Sequence, residues 1–298
     1  MRTIRIAYKD WWYGFNADSC LINQILKKYY IIEETDNPDY IISSVYSKEA
    51  LNYSGIRIFY TPENFSPDFN LFDYAIGFDD ITFGDRYNFT PNYIMNLKYK
   101  TDIERMLKKH KKKDLSEYKK EDFCSYVVSN FAGDGIRDKI FDELCKYKRV
   151  NSGGRHRNNI GLPDGVEDKY EFQMKHKFSI CFENSSHKGY VTEKLIQGFA
   201  AETVPIYWGA PDVTNIFNKN AMIEVGDDLS EAVERVMEID ADDEAYFEML
   251  KQPALLNENY IDELYLKLES FLLNIFNQEY NLSKRRAEST TVYAYYTK

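Results

Sequence analysis

The chain has 298 residues, of which 44% are hydrophobic and 29% are charged, and its formal net charge is −10 at pH 7. This composition is that of a globular protein with one large or two smaller domains, and it excludes a disordered chain, a collagen and a disulfide scaffold. Acidic residues outnumber basic ones 48 to 38. We therefore expect no nucleic acid partner, which would require a surplus of Lys and Arg.

The first half of the chain alternates strand-like runs with polar or helical stretches. Strands are predicted at residues 3–8, 30–33, 40–44, 56–60 and 72–78. The helix-length segments between them indicate a parallel sheet with crossover connections. Residues 99–122 are highly charged, and we interpret them as a solvated helix or linker that precedes a domain boundary. A phosphate- or membrane-binding patch is the alternative for this stretch.

The second half repeats the α/β pattern. Strands are predicted at residues 123–129, 177–182, 204–208 and 221–225, and helices at 134–147, 191–201, 212–217, 228–239 and 243–251. A long amphipathic helix follows, with apolar residues at helical spacing: Ile261, Leu264, Leu268, Leu272 and Ile275. The predicted domains are residues 1–122 and 123–275, with a C-terminal helix at about 276–298 that packs back on the first domain.

No stretch of about 18 apolar residues occurs, so we expect no membrane-spanning helix. The N-terminal apolar run is too short for a signal peptide. The cysteines lie far apart without a CxxC pair, which favours reduced thiols in a cytoplasmic protein: Cys20, Cys124, Cys145 and Cys181. The basic run at residues 284–286 predicts at most peripheral contact with the inner membrane, and frayed surface is the alternative.

The most informative segment follows the predicted strand at residues 177–182. A polar loop leads into a helix that begins near Val191, and Lys194 lies in its first turn. Ligands of open α/β sheets bind beyond the carboxyl ends of strands, and a helix N-terminus attracts phosphate. Lys194 therefore suits a diphosphate, and the neighbouring Glu193 suits sugar hydroxyls. The alternative is that Thr192 and Glu193 only cap the helix while Lys194 lies on the surface, and the pattern leaves both open.

Two further strand ends carry candidate residues. After the strand at residues 123–129, Gly133 and Gly135 allow close approach to the backbone, and Arg137 offers a planar fork for phosphate oxygens. After the strand at residues 56–60, Pro62 precedes Glu63, a candidate general base. A surface turn carboxylate is the alternative for Glu63.

These motifs together resemble the bacterial α-1,3-fucosyltransferases of glycosyltransferase family 10. The resemblance rests on CFEN, GYVTEK and PIYWG at residues 181–184, 189–194 and 205–209, and on DWW, TPEN, FDYAIGFD, GG and RN at residues 10–12, 61–64, 72–79, 153–154 and 157–158. It implies a GT-B fold, with two Rossmann-like α/β domains facing across a cleft. It implies GDP-β-L-fucose as the donor and an inverting transfer to the 3-hydroxyl of GlcNAc in Galβ1-4GlcNAc acceptors, which makes Lewis x-type glycans.

The resemblance also implies roles for individual residues. Arg137 and Lys194 are expected on the diphosphate, and Glu63 is expected as the base. The other expected donor-binding residues are Ser129, Asn130, Asn184, Tyr190 and Glu193. Trp11 and Trp12 are expected to help bind the acceptor. Because histidine and cysteine spacing indicates no metal site and two fixed cations can replace a metal, we predict that neither a metal nor a cofactor is required.

Three other functions remain open from the sequence. One is a transferase with α-1,4 activity, the second is a transferase that uses another nucleotide sugar, and the third is a non-catalytic sugar-binding protein. The combination of Glu63, Arg137, Glu193 and Lys194 disfavours the third, since a lectin needs no phosphate-binding pair.

Overall fold

The structure is a computed structural model that describes residues 1–109, 120–129, 135–278 and 284–287. The chain forms two compact units, each built on its own parallel sheet. Unit 1 comprises Met1–Lys98 and Asn259–Lys298, and unit 2 comprises Tyr99–Glu258. Unit 1 is thus assembled from two separate segments of the chain.

The strands of the described residues are β1 (Arg2–Lys9), β2 (Tyr30–Glu34), β3 (Tyr40–Ser43), β4 (Ile56–Tyr60), β5 (Tyr74–Gly77), β6 (Tyr87–Phe89), β7 (Asp122–Tyr126), β8 (Val150–Ser152), β9 (His176–Phe182), β10 (Val204–Trp208) and β11 (Ile223–Glu224). The helices are α1 (Leu21–Leu26), α2 (Asn92–Met95), α3 (Lys100–Lys108), α4 (Ile136–Tyr147), α5 (Lys169–Met174), α6 (Glu193–Ala200), α7 (Leu229–Ala241), α8 (Asp243–Leu250) and α9 (Tyr260–Asn277). The predicted bounds of β4 and β10 are confirmed.

Numbered within each unit, the strands of both sheets follow the order 2-1-3-4-5, and unit 1 has a sixth strand at the end. Unit 1 has the order β2-β1-β3-β4-β5-β6, and unit 2 has the order β11-β10-β9-β7-β8. All neighbouring strands are parallel. Every residue of β4 is buried, as expected for a parallel strand that is covered on both faces. The predicted parallel α/β architecture of both halves is confirmed.

The division between the units differs from the predicted one at residues 122/123 and 275/276. In the charged stretch, Ile103 and Met106 of α3 are buried, and α3 packs against α6 of unit 2. The chain therefore enters unit 2 at Tyr99. Residues 110–119, which include several of the basic side chains of this stretch, lie outside the described residues.

Helix α9 belongs to unit 1 rather than to the second domain. The ring of Phe276 lies 6.0 Å from that of Tyr30 and 4.4 Å from that of Tyr40. Phe271 makes an edge contact with Tyr74 at 6.1 Å. The predicted apolar periodicity of this helix is confirmed by its buried face, but the helix covers the N-terminal sheet. Within the described residues, the predicted C-terminal helix at about 276–298 overlaps α9 at residues 276 and 277, and residues 279–283 and 288–298 lie outside the described residues.

The basic run at residues 284–286 is fastened to unit 1. Asp73 is fully buried and accepts hydrogen bonds from the backbone N–H groups of Arg57, Lys284 and Arg285, at 2.8, 2.6 and 2.9 Å. The guanidinium of Arg285 donates to Asp73 at 2.6 Å. Lys284 pairs with Asp85. Two of the three basic side chains that predicted a membrane anchor are therefore engaged by carboxylates of unit 1. None of the helices in the described ranges is long and apolar enough to cross a bilayer.

Arg285→Met should lower the free energy of unfolding of unit 1 by about 3–5 kcal/mol, because it leaves a buried carboxylate without its cation. Denaturant unfolding followed by tryptophan fluorescence measures this loss. Arg235→Met is the matched control, since Arg235 pairs with Glu238 at the surface of unit 2. Equal stability of the two variants would contradict a buried ion pair at Asp73.

Candidate active site

Both sheets have a switch point in strand order, where the first strand of the unit lies between its second and third strands. These points are the β1/β3 boundary in unit 1 and the β7/β9 boundary in unit 2. In open α/β sheets, ligands bind outside the carboxyl ends of strands at such points. The predicted donor residues follow β7 and β9, so the topology places them where a nucleotide is expected.

Arg137 and Asn184 meet at the switch point of unit 2. Arg137 is the second residue of α4, and its side chain is buried. Its Nη1 donates to Oδ1 of Asn184, which directly follows the buried Glu183 after β9, at 3.0 Å. Ser129 is exposed at the end of the segment that follows β7. Asn130 and the rest of the loop through residue 134 lie outside the described residues.

Lys194 is held by a buried carboxylate and not at the surface. Its Nζ donates to Oε2 of Glu183 at 3.2 Å and to Oγ1 of Thr192 at 3.0 Å. Glu183 is 0% exposed, and it also accepts from the backbone N–H of Thr192 at 2.7 Å and from the Thr192 hydroxyl at 2.6 Å. Thr192 is the N-cap of α6, which explains why this helix begins at Glu193 and not at residue 191 as predicted. The capping alternative is thus correct for Thr192, whereas Lys194 has a partner inside the unit.

The charged groups at this site shift one another's pKa values. Burial opposes the charged form of Lys194, but the carboxylates of Glu183 and Glu193 outweigh it, so the pKa of Lys194 lies above its usual value. Burial raises the pKa of Glu183, and Lys194 opposes that shift. The lysine therefore stays cationic at neutral pH, and its side chain is 21% exposed.

Glu193 and Tyr190 lie next to this lysine. Oε1 of Glu193 is 3.8 Å from Nζ of Lys194, and Tyr190 is buried. Burial and the Glu193 carboxylate raise the pKa of Tyr99, whose side chain hydrogen-bonds to Glu193. The structure therefore brings four predicted donor residues into one region of unit 2, around the start of α6 and the end of β9: Asn184, Tyr190, Glu193 and Lys194.

Glu183 lies at the centre of this cluster in unit 2, and the sequence analysis assigned no role to it. Its neighbour across the sheet is Gly209, after β10. A Cβ at Gly209 would lie 2.5 Å from Cγ of Glu183 and 2.7 Å from the hydroxyl of Tyr207. The glycine of the PIYWG motif therefore leaves room for the buried carboxylate, and this pairing is the signal that could have revealed it.

Glu63 lies after β4 in unit 1 and is half-buried. The hydroxyl of Tyr46 donates to Oε1 of Glu63 at 2.6 Å. The backbone N–H of Glu63 donates to Oγ1 of Thr61 at 3.2 Å. The carbonyl of Pro62 accepts from Asn92 at 2.6 Å. These contacts fix the TPEN turn and leave the Glu63 side chain partly exposed.

The two tryptophans that were predicted to bind the acceptor differ in their surroundings. Trp11 donates its indole N–H to the carbonyl of Ile42 at 3.0 Å, and its ring stacks on Phe15 at 3.9 Å. Trp12 is 37% exposed and makes an edge contact with Tyr46, the residue that binds Glu63. Trp12 thus offers the more open ring, and both tryptophans line a pocket of about 520 Å³ in unit 1.

Asp10 is a further residue that lines this pocket. It has a positive φ of 64° and is buried, and its carboxylate accepts hydrogen bonds from Ser43, Ser47 and the backbone N–H of Glu49. The bonds join the ends of β1 and β3, so they fix the loop that carries the tryptophans. Among the described residues of both units, no group of three or more His, Cys, Asp or Glu side chains is placed to hold a metal ion.

Family models match both segments of the chain. The N-terminal domain model of the α-(1,3)-fucosyltransferase FucT matches residues 6–96, and the C-terminal model of glycosyltransferase family 10 (fucosyltransferase) matches residues 117–253. The chain is 33% identical over 291 residues to the α-(1,3)-fucosyltransferase FucT of Helicobacter pylori, covering 85% of this chain and 60% of the relative. It is 26% identical to the putative fucosyltransferase R654 of Acanthamoeba polyphaga mimivirus, covering 87% and 44%. The chain therefore spans about half of the length of these curated relatives.

Solved structures show the same fold. A crystal structure of an α1,3-fucosyltransferase with GDP-fucose matches with a TM-score of 0.76 at 28% identity, over 94% of this chain and 93% of that one. A crystal structure of an α1,3-fucosyltransferase described without a ligand matches with a TM-score of 0.78 at 27% identity, over 97% and 93%. The predicted GT-B fold class is confirmed in its two parallel-sheet α/β domains. Sequence motifs, fold and family models agree, and the chain belongs to glycosyltransferase family 10, the fucosyltransferase family.

Proposed function

We propose that the protein transfers L-fucose from GDP-β-L-fucose to the 3-hydroxyl of GlcNAc in Galβ1-4GlcNAc acceptors, with inversion at the fucose anomeric carbon. The observation that carries the proposal is the pair of cations at the switch point of unit 2. Arg137 bonds to Asn184, and Lys194 is held by Glu183, at the strand ends where a nucleotide diphosphate is expected. A structurally similar family member is described in complex with GDP-fucose, which supports this donor.

The proposed reaction is an in-line displacement. The acceptor hydroxyl oxygen attacks the anomeric carbon, Glu63 takes the hydroxyl proton, and the bond from that carbon to the β-phosphate oxygen breaks. GDP leaves with the electron pair of that bond, and the β-linked donor gives an α-linked product. One base is sufficient because no covalent intermediate has to be hydrolysed.

Arg137, Lys194 and the N-terminus of α6 supply the charge stabilisation. The leaving diphosphate gains negative charge in the transition state, and fixed cations near it lower the barrier. Since Lys194 stays protonated and Arg137 is always charged, these groups can take the place of a divalent cation. Asn184, Tyr190 and Glu193 are proposed to contact fucose and ribose, and Trp12 and Trp11 to form the acceptor side. All four cysteines are free thiols, which supports a reducing, cytoplasmic compartment.

The proposal is tested by product formation from GDP-fucose with LacNAc, lactose and lacto-N-biose in excess EDTA, with the linkage resolved by NMR. We expect an α-1,3-fucosylated LacNAc at a rate that EDTA does not reduce. Loss of activity that Mn²⁺ restores would contradict the metal-independent reaction. Binding of GDP-fucose without transfer would contradict the acceptor, and an α-1,4-linked product would contradict the regiochemistry. Failure to bind GDP-fucose would overturn the donor and favour another nucleotide sugar or a non-catalytic sugar-binding protein.

A further inference from the structure

We infer that Glu183 is a positioning residue, whose buried carboxylate fixes the ammonium of Lys194 in the place where it binds the donor diphosphate. The inference rests on the proposed function of this site. Glu183 itself is not proposed to contact the substrate. It acts through Lys194 and through the first turn of α6.

Both carboxylate oxygens of Glu183 make contacts that connect Lys194 to the start of α6. One carboxylate oxygen accepts from the backbone N–H of Thr192, so it is fixed to the start of α6. The other accepts from the Thr192 hydroxyl and from Nζ of Lys194. The ammonium of Lys194 is therefore held between Glu183 and Thr192 before any ligand arrives. Holding a flexible side chain in its bound position removes the entropy cost of ordering it during binding.

The burial of Glu183 argues for a specific task. A carboxylate with no exposed surface costs free energy to bury unless it is paired. A carboxylate close to a diphosphate also repels that ligand, so its charge alone would weaken donor binding. A carboxylate at this position makes sense if fixing Lys194 increases the affinity for the donor by more than the repulsion from Glu183 decreases it.

Gly209 supports the same conclusion from the neighbouring strand. A Cβ there would lie 2.5 Å from Cγ and 2.9 Å from Cβ of Glu183, and 2.7 Å from the hydroxyl of Tyr207, so the Glu183 side chain has to shift. Gly209→Ala therefore moves Glu183 without removing its charge, whereas Glu183→Gln removes the charge without changing the shape. The two variants test the same contact by different means.

The experiment is a double-mutant cycle in the full chain, with GDP as the probe and calorimetry as the measurement of affinity. In the presence of Lys194, we expect Glu183→Gln to weaken GDP binding about tenfold, because the lysine loses its charged partner. In a Lys194→Met background, we expect Glu183→Gln to leave GDP affinity unchanged or to increase it, because only the repulsion is then removed. Gly209→Ala should weaken binding in the first background and not in the second.

Each other outcome overturns the inference. Equal weakening in both backgrounds means that Glu183 only stabilises the fold, and equal or tighter binding by Glu183→Gln beside Lys194 means that it does not position the lysine. If Glu183→Gln does not fold, Gly209→Ala decides by the same criteria. Wild-type protein that does not bind GDP would overturn the proposed function together with the inference, whereas wild-type binding without coupling overturns the inference alone.

Asp240→Asn is the matched control for this cycle. Asp240 is a buried carboxylate of the same unit that accepts from Tyr147, Lys148 and Lys177. Lys177 lies at the amino end of β9, opposite the end that carries Glu183. Asp240→Asn should lower the free energy of unfolding without changing GDP affinity in either background.

Discussion

Glu63→Gln is expected to lower kcat about 10²–10⁴-fold while GDP affinity remains that of the wild-type protein. The amide cannot take the proton of the acceptor hydroxyl, so the attack on the anomeric carbon loses its base. Tyr46 can still donate to the side-chain oxygen of residue 63, so the turn should keep its shape. Steady-state kinetics with saturating GDP-fucose and acceptor, together with calorimetry for GDP, measure the two quantities.

Glu269→Gln is the control for this variant. Glu269 is a carboxylate on α9 of the same unit that pairs with Lys28, and it has no place in the proposed site. It should keep wild-type kcat. Reduced GDP affinity in Glu63→Gln would contradict its assignment as a base, as would a kcat that remains within a few-fold of the wild-type value.

Lys194→Met and Arg137→Met are expected to impair both binding and catalysis. In the proposed site each variant removes charge-assisted hydrogen bonds to the diphosphate, so GDP affinity should fall about 10- to 100-fold. The developing charge of the leaving group is also stabilised less, and kcat should fall about 10²–10³-fold. Calorimetry gives the loss in GDP affinity, and kinetics at saturating GDP-fucose give the loss in kcat.

Lys177→Met separates this effect from a general loss of charge in unit 2. Lys177 also pairs with a buried carboxylate, Asp240, but at the opposite end of β9 from Glu183. It should leave GDP affinity and kcat unchanged. Wild-type donor affinity and kcat in both Lys194→Met and Arg137→Met would refute the phosphate-binding role of these residues.

Strand positions could be predicted well from the sequence because buried parallel strands are continuous apolar runs. This is how β4 and β10 were found within their observed bounds, since β4 reads IRIFY and β10 reads VPIYW. The short edge strands β6 and β8 were missed because three residues carry too little pattern. The predicted start of α6 was two residues early, because Val191 extends the apolar spacing although Thr192 is the N-cap.

Packing partners could not be predicted from periodicity. The spacing of Leu264, Leu268 and Leu272 identifies the buried face of α9, but no residue in it specifies which sheet that face covers. In α3, the charges dominate the pattern and hide Ile103 and Met106, which make it a packed helix of unit 2. The predicted domains therefore differ from the two compact units at these two places.

The candidate site was predictable where residue chemistry and strand ends coincide, as for Lys194 and Arg137. The site was not predictable where a polar side chain is buried and bonds to another residue of the site. Glu183 directly follows β9 in a position that suits a ligand contact equally well, and only its surroundings show that it binds Lys194 instead. Trp11 likewise has the aromatic ring of a sugar-binding residue, but its indole N–H is used by Ile42 within the unit.

The division of unit 1 into two segments has a consequence for synthesis on the ribosome. Its sheet is translated first, but the helix that covers Tyr30, Tyr40 and Tyr74 is translated only after the whole of Tyr99–Glu258. At roughly 5–20 residues per second, that delay is on the order of 10–30 s. During this time the nascent first sheet has an uncovered apolar face, while unit 2 is continuous and can complete its own core. We therefore expect unit 2 to fold before unit 1, although the sheet of unit 1 is translated first, and this reverses the usual order of domain folding.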